Sequence, residues 1–148
     1  MAVIRGCLLP EDLYYLVDRH VWVRPGAEGV ARVGITPSGF KLAGGRPVAI
    51  TLRTKAIGRE IAVGRPVAVM ESSKWAGGIP APFTGTLLRG NELVVDNPQL
   101  AVDDPYGNGW IVEMRPSDWE AARASLLTGE DAINAFRALL EKSDIECG

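Results

Sequence analysis

The sequence has few of the side chains on which metal sites and nucleophilic catalysis depend. Its 148 residues include one histidine and two cysteines. His20 has no second histidine with which to form a metal site, and Cys7 and Cys147 form no Cys-x-x-Cys pair. The chain also lacks a Gly-x-Ser-x-Gly motif and a Cys/His arrangement suited to acyl transfer. We therefore expect neither a metal centre nor a catalytic centre.

The low cysteine content also bears on the compartment. Cys7 and Cys147 lie near opposite ends of the chain and are most simply explained as free thiols in a reducing cytoplasm. A disulfide that joins the two ends is the alternative that the sequence leaves open. The N-terminus has no long apolar region of the signal-peptide type, and no apolar run is long enough to span a membrane. We expect a cytoplasmic protein without membrane insertion, whose residues 143–148 are frayed.

A strong charge of one sign is missing as well. The net charge is −2, which gives no electrostatic footprint for nucleic acid or an anionic membrane. Apolar residues make up 47% of the chain, which is enough for a proper hydrophobic core. We expect residues 1–148 to form one domain.

Lysine is scarce, and one lysine lies in an unusual place. Only four of the 16 cationic side chains are lysines: Lys41, Lys55, Lys74 and Lys142. Lys74 follows an apolar run, 66–70, and precedes Gly77-Gly78, which we expect to end the segment. The pattern predicts a β-hairpin with its second strand in the run 83–88, and it places Lys74 at or near the tip. An exposed lysine amine can be acylated by another enzyme, whereas arginine cannot, although a solvated turn lysine is the simpler interpretation.

Many short, β-prone runs separated by turn residues predict a mainly β fold. They favour a two-sheet sandwich, or flattened barrel, with a core from about residue 17 to 116 and short helices. After Pro116 the pattern becomes helical. Ser117 and Glu120 have capping-box spacing, and Thr128 precedes a second amphipathic run. We therefore expect two C-terminal helices over about 117–142.

The segment around Lys74 resembles a known attachment site. Glu71-Ser72-Ser73-Lys74 is similar to the Glu-Ser-x-Lys site that carries a lipoyl group in the glycine cleavage system H-protein family. The resemblance continues in order along the chain, at His20–Val23, Val33–Thr36, Pro82 and Gly85, Asn97-Pro98-x-Leu100, and Asp104-Pro105-Tyr106-Gly107-x-Gly109-Trp110. It implies a lipoyl/biotinyl-type sandwich and lipoate covalently attached to Lys74. It also implies a monomeric, non-catalytic carrier, with Glu71 and Ser73 recognised by a lipoate-attaching enzyme.

Three departures from the family pattern bear on the pathway. Val21 stands where the family has glutamate, Trp75 stands where it usually has alanine, and the chain begins with Gly6-Cys7-x-x-Pro10-Glu11-Asp12. These features resemble the lipoate-binding proteins of heterodisulfide-reductase-like sulfur oxidation. That resemblance implies a lipoyl arm on Lys74 that shuttles sulfur intermediates to a heterodisulfide-reductase-like complex.

Other interpretations stay open at this point. A glycine cleavage H protein would carry an aminomethyl group between the glycine cleavage enzymes. A relative without the lipoyl group would be a binding module of the same fold. A biotinyl carrier is disfavoured because biotin sites place methionine on both sides of the lysine, whereas Ser73 and Trp75 lie there. A small thiol enzyme that uses Cys7 or Cys147 lacks a visible base.

Overall fold

Short strands form most of the fold, and the one long helix lies near the C-terminus. The computed structural model describes residues 1–148. The strands are β1 Ala2–Ile4, β2 Cys7–Leu9, β3 Tyr14–Leu16, β4 Val21–Pro25, β5 Ala31–Ile35, β6 Pro47–Leu52, β7 Glu60–Ile61, β8 Pro66–Ser72, β9 Ala76–Pro80, β10 Gly85–Gly90, β11 Val112–Pro116 and β12 Leu127–Thr128. The helices are α1 Pro37–Leu42, α2 Glu92–Asp96, α3 Gln99–Asp103, α4 Trp119–Ala124 and α5 Gly129–Ser143. None of them has the length and apolar character that a bilayer span requires.

Two sheets pack face to face, so the predicted mainly β sandwich is confirmed. The larger sheet has seven strands in the order β12-β3-β4-β5-β11-β10-β7, and the smaller has three in the order β6-β8-β9. Both contribute to the larger hydrophobic core, the first through Val33 and Met114 and the second through Ile50 and Met70. The β1-β2 hairpin forms a separate two-stranded sheet that is not hydrogen-bonded to either of them.

The larger sheet is covered on its other face by α5 and the β1-β2 hairpin. Side chains alternate along β4, so Val21 and Val23 point into the sandwich while Trp22 points into this second core. Phe136 and Leu140 of α5 are fully buried there. Gly34 lies opposite Trp22 across the strand pair, and a Cβ at that position would overlap the indole ring. The amphipathic run after Thr128 therefore forms the expected helix, because it covers an apolar sheet face.

The hairpin that carries Lys74 differs from the prediction in its second strand. β8 pairs with β9, Ala76–Pro80, which directly follows the turn. The predicted partner run, 83–88, instead belongs to β10, which pairs with β11 and β7 in the other sheet. Gly77 and Gly78 lie inside β9 and do not end it. Glycine suits both positions because a Cβ would overlap the Trp75 ring at position 77 and Pro66 at position 78. The prediction of a hairpin is confirmed, and its pairing was wrong.

The first C-terminal helix begins one residue later than the capping-box pattern predicts. Asp118 is the N-cap residue of α4, and its carboxylate accepts from the Ala121 amide at 3.3 Å. Ser117 follows directly after β11, and its hydroxyl donates to Glu60 Oε1 at 3.0 Å instead of capping the helix. The second helix, α5, begins after Thr128 as expected.

The ends of the chain are joined, so the prediction of two free thiols was wrong. Cys7 and Cys147 form a disulfide with 4.8 Å between their Cα atoms. Cys7 lies in β2 and is fully buried. The last residues are also not frayed, because Arg5 donates to the Ile145 carbonyl at 2.9 Å and accepts, through its own carbonyl, from the Cys147 amide at 2.9 Å. The opposite ends of the sequence therefore meet in space, a contact that linear spacing cannot reveal.

Candidate functional site

Lys74 lies at the exposed tip of the β8-β9 hairpin. The last residue of β8 is Ser72 and the first of β9 is Ala76, so Lys74 is the middle residue of a three-residue connection. Its side chain is exposed and takes part in none of the ion pairs of the structure. The hairpin thus presents a free amine on a short, well-anchored turn.

Ser72 organises this turn, and sequence reasoning missed it. Its Oγ donates to the Ala43 carbonyl and accepts from the amides of Lys74 at 3.3 Å and Trp75 at 3.1 Å. The Ser72 amide donates to the Trp75 carbonyl at 2.7 Å and closes the turn. Serine commonly forms such side-chain to backbone bonds at turns, which is the signal that was available in the sequence.

The two predicted recognition residues lie beside Lys74 with free side chains. Glu71 and Ser73 are both exposed, and neither side chain forms a hydrogen bond or an ion pair within the chain. Glu71 pairs with Ala49 and Ala76 in the sheet, so its neighbours on both sides are small. A partner protein can therefore reach both side chains together with the lysine.

The loop after α1 packs against the turn that carries Lys74. Gly44 has φ of +95°, a left-handed conformation that glycine adopts without strain. A Cβ at this position would lie 3.2 Å from the Lys74 Cβ, so the loop and the turn are in close contact. Together with the Ser72 bond to Ala43, this contact fixes the base of the Lys74 side chain while its amine stays free.

A groove of about 370 Å³ opens next to the hairpin tip. Its wall consists mainly of apolar side chains, namely Val21, Ile35, Leu42, Met70, Trp75 and Ile79. Trp75 is 44% exposed, and its ring lies over Gly77 on the groove side of β9. The lining has one carboxylate, Asp18, beside one permanent cation, Arg19, whereas position 21 offers only a buried valine. An apolar group tethered to Lys74 would find a complementary surface beside its anchor.

His20 lies at one end of this groove in an unusual backbone conformation. Its φ of +58° places it in the left-handed region, and only 4% of the residue is exposed. Its Nδ1 lies 2.8 Å from Ser38 Oγ, which in turn lies 2.7 Å from Thr36 Oγ1. Burial lowers the pKa of His20 below its ordinary value, and the nearby Asp18 carboxylate opposes that shift only in part. His20 is therefore a neutral, hydrogen-bonded residue of the groove wall.

The residues at the hairpin fit a covalently attached lipoyl group. An amide bond to the Lys74 amine requires an exposed, unpaired nucleophile, and the turn provides one. The extended lysine and lipoyl chain together reach roughly 14 Å, as the sum of single-bond lengths gives. When bound, the group supplies a dithiol–disulfide couple, and the protein supplies position and recognition. No group of three or more His, Cys, Asp or Glu side chains is placed to hold a metal ion.

Comparison with known proteins identifies the family. The profile described as "Glycine cleavage H-protein" matches residues 13–138. The "Glycine cleavage system H protein 2" of Aquifex aeolicus is 40% identical over 144 residues, which cover 97% of this chain and 88% of that protein. The "Probable glycine cleavage system H protein 2" of Sulfolobus acidocaldarius is 38% identical over 149 residues, 99% of this chain and 97% of that protein.

A solved structure agrees with these sequence matches. The crystal structure of a glycine cleavage system H protein from Mycobacterium marinum superposes with a TM-score of 0.71 at 31% identity, and covers 85% of this chain and 97% of that one. Members of the matched family carry lipoate covalently on a lysine and do not themselves catalyse a reaction. The chain therefore belongs to the glycine cleavage H-protein family and is a non-catalytic lipoyl carrier.

Proposed function

We propose that Lys74 is the lysine that carries the lipoyl group. The observation that carries this assignment is the position of Lys74 at the exposed tip of a hairpin whose turn is held by Ser72. The other three lysines lie on helical segments: Lys41 in α1, Lys55 in the single turn Thr54–Ala56 and Lys142 in α5. Glu71 and Ser73 are the side chains that a lipoate-attaching enzyme would read.

The proposed pathway is glycine cleavage, with the chain carrying an aminomethyl group between the glycine cleavage enzymes. The names of the relatives support this pathway over the sulfur-oxidation interpretation that the sequence departures favour.

Transport of sulfur intermediates is a second candidate, and one structural observation favours it. Val21 is buried in the groove wall at the position where the family has glutamate, and Trp75 adds further apolar surface. Such a wall suits an uncharged, sulfur-rich cargo better than a cation, because an unpaired charge loses hydration on apolar surface.

The attachment site is tested with a matched pair of lysine variants. Lys74→Arg keeps the positive charge but has no amine to acylate, and Lys142→Arg makes the same change on α5. We expect the intact mass of the Lys142→Arg protein to include one lipoyl group per chain and that of Lys74→Arg to include none. Both variants should unfold at the same temperature as the wild type. A lipoyl group on the Lys74→Arg protein contradicts the assignment.

The pathway is tested by turnover with glycine cleavage enzymes. For the lipoylated wild type we expect turnover comparable to that of an authentic H protein. The control is an authentic H protein in which the family's glutamate at the position of Val21 is replaced by valine, because a carboxylate introduced at Val21, which is 1% exposed, would be buried without a partner. Poor turnover by both this control and the wild type would instead support the sulfur candidate, because it would trace the defect to the apolar groove wall.

A further inference from the structure

One end of the smaller sheet bears a concentration of positive charge. Arg53, Lys55, Arg59 and Arg65 are all exposed and lie within residues 53–65, a segment with a single acidic residue, Glu60. These four residues are referred to below as the cationic surface. Since the whole chain has a net charge of −2, the rest of the molecule is acidic and the cationic surface is a local exception.

The charges of the cationic surface are not neutralised within the chain. None of its four side chains forms an ion pair, although other arginines of the protein do, with carboxylates such as Glu113. The one side-chain bond among the four is from Arg53 to the Pro66 carbonyl at 2.8 Å, which orients the guanidinium without neutralising it. Uncompensated charges close together produce a positive potential that attracts acidic groups.

The cationic surface is concave and partly apolar. Arg53, Lys55 and Arg59 surround an open depression of about 570 Å³ that also includes the apolar residues Leu52, Ala56 and Ile61. One carboxylate, Glu60, lies in the same lining and accepts from the Ser117 hydroxyl at 3.0 Å, so three cations face one acidic group. In the same segment Ile57 is 43% exposed and Val63 is 55% exposed. Cations around an apolar floor suit a protein segment that brings both carboxylates and apolar side chains.

The cationic surface lies at the opposite end of the hairpin from Lys74. Arg65 immediately precedes β8, and Lys74 lies two residues after the last residue of β8, Ser72. A seven-residue strand spans about 20 Å at the usual rise per residue. A partner held at the cationic surface therefore leaves the hairpin tip uncovered, and an arm of roughly 14 Å, the length that single-bond geometry gives, can still move between active sites.

We propose that the cationic surface is a docking site for an acidic segment of the enzymes that work on the arm, an inference that rests on the proposed carrier function of Lys74. Docking at this end raises the effective concentration of the arm at the partner's active site. The charge pattern also speeds encounter with acidic partners, an effect that weakens as salt increases.

The test compares two double variants that remove the same charges from different places. Lys55→Gln with Arg59→Gln alters the cationic surface, and Arg137→Gln with Lys142→Gln alters two exposed cations of α5. Each pair removes one lysine and one arginine, so the net charge changes equally. Both proteins are lipoylated to completion, as intact mass shows, and are then titrated as carriers in the glycine cleavage reaction. A fluorescent hexaglutamate peptide serves as a direct binding probe.

We expect the cationic-surface variant to raise the KM for the carrier about 3- to 10-fold with kcat unchanged, since two rim charges are removed. Its kcat/KM should depend less on salt, and hexaglutamate should bind several-fold more weakly, while the α5 variant behaves like the wild type. An equal loss in both variants would assign the effect to net charge and overturn the proposal. Inorganic phosphate that displaced the peptide better than chloride of equal ionic strength would overturn it too, in favour of a small-anion site.

Failure of the carrier proposal is separable from failure of the docking proposal. If the lipoylated wild type gives no glycine cleavage turnover, the pathway assignment fails. The hexaglutamate comparison still decides the docking site in that case, because it needs no enzyme. Equal hexaglutamate binding by the wild type and the cationic-surface variant, with equal KM where turnover exists, would overturn the docking proposal alone.

Discussion

His20 is the one histidine of the chain, and the fold holds it neutral against the groove. Burial lowers its pKa, so below pH of about 6.5, the ordinary histidine value, the unfolded chain binds a proton that the folded chain does not. The unfolded state then holds more protons, and the free energy of unfolding falls as the pH falls. The stability that the neutral imidazole contributes is therefore present above pH of about 6.5 and is lost as the pH drops toward the lowered value.

A single substitution isolates this pH dependence. His20→Asn keeps a residue that tolerates the left-handed backbone and removes the titrating ring. We expect the free energy of unfolding of the wild type, measured by urea denaturation, to decrease between pH 7 and pH 5 more steeply than that of His20→Asn, by at most about 1.4 kcal/mol per pH unit. Parallel pH profiles for the two proteins would show that folding leaves the pKa of His20 unchanged.

We predict that Ser72 contributes more to the stability of the protein than the adjacent Ser73. Ser72→Ala removes an acceptor for two turn amides and a donor to Ala43, so unfolding should become easier by about 0.5–1.5 kcal/mol. Ser73→Ala removes a hydroxyl without a partner in the chain and should change the stability by less than about 0.5 kcal/mol. Chemical denaturation gives both values, and hydrogen exchange at the Lys74 and Trp75 amides should accelerate only in Ser72→Ala. Equal effects of the two substitutions would contradict the assigned role of Ser72.

At the scale of elements, the sequence was informative where a local pattern also determines the packing. Val21, Trp22 and Val23 belong to one of the short β-prone runs, and they form part of β4, whose side chains point alternately into the two apolar cores. Thr36 and Pro37 mark the start of α1, and Thr128 marks the start of α5. In these places the residue pattern and the tertiary environment favour the same conformation.

The sequence was misleading where a distant neighbour changes the meaning of a residue. The sequence pattern predicts that Gly77 and Gly78 end the strand, but both lie inside β9. Glycine suits these positions because Trp75 and Pro66 occupy the space that a Cβ atom would need. The sequence pattern predicts Ser117 as a helix cap, but its hydroxyl instead donates a hydrogen bond to Glu60 of β7. The exposed lysine of the candidate site was predictable for the opposite reason, since a hairpin tip has few tertiary neighbours. The groove beside it was not, because it brings together residues from three separate segments, near positions 20, 40 and 75.

The whole molecule is closed by the disulfide between Cys7 and Cys147. The bond spans 140 residues of sequence, so it restricts the unfolded chain strongly. We expect Cys147→Ser to lower the free energy of unfolding by about 2–4 kcal/mol, the usual range for such a bond. When the wild type is unfolded and refolded in the presence of a reducing agent, its free energy of unfolding should fall by a similar amount. The same treatment should not change the free energy of unfolding of Cys147→Ser.

A count of reactive thiols checks the same bond independently. The native wild type should react with no equivalents of a thiol reagent, because Cys7 is fully buried and both sulfurs are bonded. After denaturation and reduction it should react with two. Two reactive thiols in denatured but unreduced protein would show that the disulfide does not form.

Because the two ends of the chain meet, the same fold can be built from a chain that begins and ends at a different place. Cys7 and Cys147 have Cα atoms only 4.8 Å apart, and Cys7 pairs with Ile4, so a peptide that joins Met1 to Gly148 has to span about the length of β1. New ends could then be opened in the exposed connection between β4 and β5, at residues 26–29. Such a circularly permuted chain would keep the hairpin of Lys74 intact and place it about one third of the way along the new sequence, with the peptide bridge in place of the disulfide.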